Sequence, residues 1–412
     1  MSPTLGCRFC GALLRESFCN LGMSPLSNSF VSADALQNAE PFYLLHPRVC
    51  TNCFLVQLPE YESPQQIFGE YAYFSSYCDS WLAHSKAYAL AMTDRFRLND
   101  KSRVIEIASN DGYLLQYFKD QNIPVLGIEP AANVAEIARQ RDIPSWVRFF
   151  GVELATELAS QGLHADLLLG NNVLAHVPDI NDFVAGMAIA LKPTGVITME
   201  FPHLLQLIQR NQFDTIYHEH FSYLSFTTVE TIFATHGLVL FDVEELTTHG
   251  GSLRIYARHR QDESKPVSAR VIDMREREIT SGLRTLATYA AFAEGVRETK
   301  RTLLAFLIEC QRKGKRVVGY GAPAKGNTLL NYCGIREDFV EYTVDRSPHK
   351  QGRYLPGTRI PIYEPARIAQ TKPDYVLILP WNIRDEIVDQ MAHIREWGGK
   401  FVIPIPRVEI FA

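Results

Sequence analysis

The spacing of apolar positions changes character twice along the chain. The stretch "SWLAHSKAYALAMTDRFRL" (80–98) places its apolar residues at helical intervals. It leads into "RVIEI" (103–107), a short apolar run that reads as a buried strand. From there strand-like runs alternate with helix-like stretches: "PVLGIE" (124–129), "ADLLLGNN" (165–172) and "GVITMEF" (195–201). Such alternation predicts an α/β fold with a parallel, doubly wound sheet. A second alternation opens with "ETKRTLLAFLIECQRKGK" (298–315) as a helix. Three strand-like runs follow it: "RVVGYGA" (316–322), "VEYTVD" (340–345) and "DYVLILP" (374–380). Between the two halves, "SARVIDMREREITSGLRTLATYAAFAEGVRETK" reads as a long helical connector. Ahead of both, residues 1–65 are rich in turn formers and short β-like pieces such as "PFYLLHPRVC".

A chain of 412 residues exceeds what one core serves. The expected divisions are a cysteine-rich head (1–70), a central α/β core (71–200), a segment with a helical connector (201–297) and a second α/β unit (298–412). Apolar residues at 46% and charged residues at 21% are ordinary for a globular protein. A net charge of −5 leaves no electrostatic footprint for nucleic acid or an anionic membrane. No apolar stretch approaches the roughly 18 residues a membrane span needs, and "MSPTLGCRFC" lacks the apolar region of a secretory signal. The expectation is a cytoplasmic monomer with neither nucleic-acid nor membrane partners.

In a reducing compartment eight cysteines are not four disulfides. Four of them form two C-x2-C pairs, Cys7 with Cys10 and Cys50 with Cys53. Two residues between sulfurs let one tight turn present both thiolates to a tetrahedral ion, so the four predict a structural zinc site. A small head with a thin core needs such a staple. A zinc ribbon recognising RNA or protein is the reading from another class, and the acidic balance speaks against it. Cys19, Cys78, Cys310 and Cys333 are expected as small apolar fillers.

The central core carries "VIEIASNDGYLLQYF" (104–118), a strand entering a turn through Asn110, Asp111 and Gly112 and then a helix. About twenty residues on, Glu129 ends a second strand, where an acid takes the paired hydroxyls of a ribose. The turn is not G-x-G-x-x-G: Ala108 holds the first glycine position, and Asp111 stands where a pyrophosphate would sit. A carboxylate there repels a dinucleotide but suits a cation bearing an amino acid and a ribose, which points to S-adenosylmethionine (SAM). Glu106 adds a further acid, and Asn171 and Asn172 end the next strand facing the crevice. "ALKPTGVITMEFP" (190–202) supplies the helix, turn and fifth strand usual in class I SAM-dependent methyltransferases.

The set resembles the sugar C-methyltransferases that act on nucleotide-linked 4-keto-deoxysugars, those of tetronitrose formation included. The resemblance spans nearly the whole chain. It rests on the four cysteines with "LGMSPLSNSF" between them, "EYAYFSS" (70–76), "EIASNDG" and "IYHEHFSYLS". It continues through "HGGSLR" (249–254), "GYGAPAKGNTLLNYCGI" (319–335), "YTVDRSPHKQGRYLPG" (342–357) and "WNIRDEI" (381–387). Ala108 departs from the glycine common at its position. The resemblance implies a class I Rossmann-like methyltransferase core between an N-terminal zinc-binding domain and a C-terminal Rossmann-like domain that holds the nucleotide sugar. The implied reaction is methyl transfer to C3 of the ketosugar, with C5, the other neighbour of the ketone, as the alternative.

"DTIYHEHFSYLS" (214–225) sets His218 and His220 either side of Glu219. Zinc enzymes that use paired histidines on a helix space them at i and i+4, so the pattern does not predict catalytic zinc. Forming a carbon–carbon bond with SAM requires a carbon nucleophile, which a base generates beside a ketone. Histidine suits that role because it titrates near neutrality. The resemblance puts the base at His220, with Glu219 and Tyr217 orienting the sugar or the imidazole. Tyr73, Ser76 and His249 are expected to border the enolate, and Tyr223 the substrate. In the last unit, Lys325 is expected at the diphosphate, with Arg353 and Lys350 near later strand ends. An NAD site there is the rival chemistry, with Asp345 as its ribose acid, but "GYGAPAKG" lacks the third fingerprint glycine in register.

Overall fold

The computed structural model describes residues 5–63, 75–77 and 79–412. Its central sheet has seven strands: β1 (Val104–Ile107), β2 (Val125–Ile128), β3 (Ser145–Trp146), β4 (Ala165–Asn171), β5 (Leu191–Pro202), β6 (Leu238–Leu246) and β7 (Ser252–His259). Their spatial order is β6-β7-β5-β4-β1-β2-β3. All neighbours are parallel except β7, which runs antiparallel to both β5 and β6. The apolar runs form inner strands because both faces are covered: Leu167, Leu168 and Leu169 are all fully buried. The chain steps from β1 outward through β2 and β3, then returns to the other side of β1 with β4 and β5. The switch between β1 and β4 opens a crevice at their carboxyl ends.

Residues 201–297, read from the sequence as a site segment and connector, also supply β6 and β7. The helical stretch is two helices, Ala269–Thr280 and the 27-residue Leu286–Arg312. The second sheet contains β8 (Val317–Tyr320), β9 (Thr343–Val344), β10 (Ile362–Tyr363), β11 (Tyr375–Ile378), β12 (Lys400–Ile403) and β13 (Glu409–Phe411), ordered β10-β9-β8-β11-β12-β13. Only β13 runs antiparallel to its neighbour. Its own switch lies between β8 and β11, so Pro323, Ala324 and Lys325 open the helix Ala324–Cys333 at that edge.

The head is wedged between the two sheets. Cys7, Leu14 and Leu55 pack into the core of the central sheet, whereas Phe18, Leu21 and Leu45 join the core of the C-terminal unit. Phe18 stacks on Phe292 of the long helix at 4.6 Å between ring centres. Three two-residue strands of the head, Glu16–Ser17, Arg48–Val49 and Val56–Gln57, form a sheet completed by Ser222–Tyr223 from beyond the HEH motif. No described helix is long and apolar enough to cross a membrane.

Candidate active site

A cavity of about 1010 Å³ lies where the three parts meet. Its wall is drawn from the crevice of the central sheet, the segment 215–220, the head near Asn28 and Phe30, and the C-terminal unit around Lys325 and Lys350.

The HEH segment is neither strand nor helix but a turn, closed by the His220 N–H donating to the Tyr217 carbonyl at 3.0 Å. Three neighbours hold it. Phe221 N–H donates to the Ala175 carbonyl at 2.8 Å, and Leu58 N–H of the head donates to the Phe221 carbonyl at 3.0 Å. From the C-terminal unit, Thr328 Oγ1 donates to the Ile216 carbonyl at 2.9 Å. The turn sends its two histidines to different places. His218 packs edge-on against the rings of Tyr43 and Tyr61 of the head, away from the cavity lining. His220 lines the cavity and lies 2.8 Å from the Thr215 carbonyl through Nδ1. A carbonyl only accepts, so Nδ1 carries the proton and Nε2 holds the free lone pair. Burial pushes the basicity of His220 well down, and the neighbouring His176 adds to the effect. The imidazole is therefore neutral at pH 7.

Tyr217 lies against the His220 ring at 4.0 Å, and His176 meets it edge-on at 4.7 Å. Glu219 faces the same cavity, its Oε1 accepting from Asn28 Nδ2 at 2.6 Å. His249 accepts from Asn172 Nδ2 at 2.7 Å through Nε2 and sits under Trp81 at 5.3 Å. Burial lowers both His176 and His249 to about 4. Gly250, at φ 90°, completes this corner: a Cβ there would come within 2.6 Å of Trp381.

In the crevice, Ala108 and Asn110 take left-handed backbone angles, φ 56° and 49°, folding the β1 turn back on itself. Glu129 clamps it: one carboxylate oxygen accepts from Asn110 N–H at 2.9 Å, the other from Ala131 N–H at 2.8 Å. Asn110, Glu129 and Asn171 line the cavity, and both side-chain polar atoms of the buried Asn171 lack a partner among the described residues. Beyond Glu129, Ile128, Pro130, Phe149 and Phe150 form an apolar shelf. An acid, neutral amides and a flat apolar shelf suit a cationic nucleoside bearing an amino acid. When bound, SAM supplies an electrophilic sulfonium methyl.

Three expected cofactor residues do not line the cavity. Glu106 is buried within β1, where desolvation raises its carboxyl well above the usual range. Asp111 accepts from Ser76 N–H at 3.3 Å and lies 3.7 Å from the Arg141 guanidinium. Ser76 spends its hydroxyl as acceptor from that guanidinium at 2.7 Å. Gly112, at φ 78°, is a close-packing position, since a Cβ would come within 2.4 Å of Ile143. Tyr223 is buried behind the His220 ring, in the strand that joins the head sheet, and does not line the cavity either. Tyr73 lies outside the described residues. Trp81, Asn28, Phe30 and His176 line the cavity without having been expected there.

On the C-terminal side, Lys325 donates to Asn382 Oδ1 at 2.7 Å, its ammonium 4.5 Å from the centre of the Trp381 ring. Lys350 and Arg353 line the cavity from the loop after β9, Lys350 donating to the Ala322 carbonyl at 2.9 Å. Asp345 accepts from Ala322 N–H at 2.7 Å and Ser347 N–H at 2.9 Å and does not line the cavity.

The four head cysteines gather with all sulfurs within 4.8 Å of one another, the one such group of potential metal ligands among the described residues. Cys7 and Cys53 sulfurs are 3.6 Å apart, Cys10 and Cys50 3.5 Å. A tetrahedral ion with Zn–S bonds of about 2.3 Å separates its sulfurs by roughly 3.8 Å, so zinc fits. Gln57 Nε2 donates to Cys7 Sγ at 3.1 Å from the strand that pairs with Ser222–Tyr223.

Comparisons with known proteins accord with this layout. Residues 7–68 match a zinc binding domain model, 81–243 a methyltransferase domain model and 247–406 the C-methyltransferase C-terminal domain model. The chain is 34% identical over 410 residues to C-methyltransferase NovU of Streptomyces niveus, covering 100% of this chain and 97% of that protein. It is 32% identical over 96 residues to a ubiquinone biosynthesis O-methyltransferase of Chelativorans sp. (strain BNC1), covering 23% of this chain and 38% of that protein. Among solved structures, the PH0226 protein of Pyrococcus horikoshii superposes with a TM-score of 0.38 at 14% identity, covering 48% of this chain and 99% of that one. By its full-length match to NovU and the three domain models in order, the chain belongs to the C-methyltransferase family, as a SAM-dependent enzyme with an N-terminal zinc-binding domain.

Proposed function

We propose that the enzyme methylates C3 of a nucleotide-linked 4-keto-deoxysugar, with His220 as the base. The observation that carries this reading is the hydrogen bond from His220 Nδ1 to the Thr215 carbonyl at 2.8 Å. It leaves Nε2 as an unprotonated nitrogen in a cavity continuous with the SAM crevice. In this reading His220 takes the hydrogen beside the ketone. Tyr217 fixes the face of the imidazole, and Glu219, oriented by Asn28, faces the sugar. Asn110, Glu129 and Asn171 hold the cofactor. Lys350, Arg353 and the amino end of the helix Ala324–Cys333 receive the diphosphate, since exposed backbone N–H groups and basic side chains both favour an anion. Trp81 and His249 close the wall between cofactor and sugar.

The test is incubation with SAM and a panel of 4-keto-6-deoxy nucleotide sugars. The expected product has gained one methylene and lost one carbon-bound hydrogen, located by NMR at C3. A methyl at C5, or on oxygen or nitrogen, refutes the assignment.

A further inference from the structure

We propose that Lys325 is the electrophile at the reacting carbonyl, donating a hydrogen bond to the oxygen at C4 of the sugar as the enolate forms. This rests on the ketosugar reading above and gives Lys325 a place different from the diphosphate contact its sequence position suggests. Three observations carry it. First, among the described residues the side chain is held by neutral partners and makes no direct ion pair. Asn382 Oδ1 accepts one of its hydrogens at 2.7 Å and the Trp381 ring supports the ammonium at 4.5 Å, leaving its other hydrogens for the cavity it lines. Second, the mount is tied to the base. Trp381 Nε1 donates at 2.7 Å to the buried carboxylate of Asp214, which directly precedes the Thr215 whose carbonyl fixes His220. The helix carrying Lys325 is bonded to the same loop through Thr328 and Ile216. Third, Lys325 lines the same cavity as His220 and His249, and its charge lowers the basicity of each. Lys350, by contrast, donates to the Ala322 carbonyl at 2.9 Å and lies 3.6 Å from the Asp345 carboxylate, and Arg353 is exposed.

The chemistry balances with these groups alone. His220 Nε2 removes the hydrogen at C3 as a proton, and the C–H electron pair becomes the C3=C4 bond. The carbonyl π pair moves onto oxygen, where the Lys325 ammonium stabilises it by charge and hydrogen bond without giving up its proton. The pair then returns through C4, carbon C3 bonds to the sulfonium methyl, and the C–S pair stays on sulfur as a thioether. The proton on His220 leaves to solvent.

The experiment uses the full chain and its Lys325→Met variant, which keeps the apolar stem beneath Trp381 and deletes the charge. Three quantities are measured: turnover with a thymidine-diphosphate-linked 4-keto-6-deoxyhexose, deuterium exchange at C3 in heavy water with S-adenosylhomocysteine bound, and the Kd of thymidine diphosphate. Turnover and exchange are expected to fall together by roughly 10²–10³-fold, as for loss of one oxyanion donor, with the diphosphate Kd within threefold of wild type. Binding of S-adenosylhomocysteine reports folding. Should Lys325→Met fail it, Asn382→Ala, which frees the ammonium from its mount, is expected to slow exchange about tenfold with diphosphate affinity unchanged. A tenfold weaker diphosphate Kd in either variant, or exchange at the wild-type rate in the variant that folds, overturns the proposal. Absence of exchange in the wild-type enzyme sinks the ketosugar reading itself, and this proposal with it.

Discussion

Replacing His220 by asparagine removes the proposed base while disturbing little else. The Asn amide supplies an N–H where Nδ1 stood, so the buried Thr215 carbonyl keeps a donor. His220→Ala would orphan that carbonyl at a cost of about 1–3 kcal/mol and confuse folding with chemistry. General base catalysis contributes on the order of 10²–10⁴-fold. At about 1.36 kcal/mol per decade, the barrier rises by roughly 2.7–5.4 kcal/mol. Turnover should fall by that factor in a SAM-to-sugar methyl transfer assay, while SAM affinity by calorimetry stays within twofold, because His220 lies outside the β1 turn and the Glu129 clamp. The pH profile gives an independent check. His220 is pushed well below the ordinary imidazole value by burial and by His176, so the reactive neutral form persists on acidification. An unperturbed imidazole would lose half its free base near pH 6.5. Here kcat/KM should stay flat on this limb from about pH 8 down through 6.5 and fall only as pH approaches the depressed value. A His220→Asn enzyme within tenfold of wild type refutes the assignment, whereas an inflection near 6.5 in the wild-type enzyme that the variant lacks refutes the depressed basicity of the base.

Removal of zinc by a chelator should abolish methyl transfer while leaving S-adenosylhomocysteine binding intact, because the head clasps the Tyr217–His220 turn through the Gln57–Ser222 pairing; full activity in metal-free protein, checked by atomic absorption, refutes this. Asn28→Ala deletes the 2.6 Å bond to Glu219 and, at about 1.5–3 kcal/mol for a hydrogen bond to a charge, should lower turnover roughly 10- to 100-fold without changing zinc content. Glu129→Gln turns one acceptor oxygen into a donor facing a backbone N–H and should weaken SAM binding by about tenfold or more, read by calorimetry. An unchanged Kd would mean that the clamp does not shape the cofactor site.

Much of the architecture is written in local pattern. The runs at 103–107, 124–129, 165–172 and 195–201 became β1, β2, β4 and β5 because continuous apolar stretches bounded by turns have few other places to go. The strands β6 and β7 were hidden, since "LVLFDVEEL" and "SLRIYARH" follow the site segment and gain their identity only by pairing with each other and β5. The zinc ligands were legible because chelation imposes a spacing. Side-chain direction was not. Ala108, Asn110 and Gly112 all adopt positive φ, and that path carries Asp111 toward Ser76 and Arg141 and away from the crevice. His176 joins His220 only because Phe221 N–H meets the Ala175 carbonyl across the fold, a contact no local spacing announces.

The electrostatics of the cavity set a constraint that links the proposed base, the proposed electrophile and the cofactor. Burial keeps His176, His220 and His249 neutral at pH 7, which spares a sulfonium ligand three adjacent positive charges. The same burial makes His220 a weak base for removing a hydrogen from carbon. A weak base suffices only where the conjugate anion is stabilised at the moment it forms, so the burden shifts to the carbonyl oxygen. The proposed cation at that oxygen meets the requirement; burial lowers the basicity of Lys325, and the neighbouring Asp214 carboxylate opposes that shift. Each component comes from a different part of the chain: the imidazole from the segment after β5, its turn braced by the zinc head, and the ammonium from the end of β8. Weakening any of these supports should therefore slow proton removal and methyl transfer together, while cofactor binding at the proposed site of the β1 turn, Glu129 and Asn171 stays unchanged.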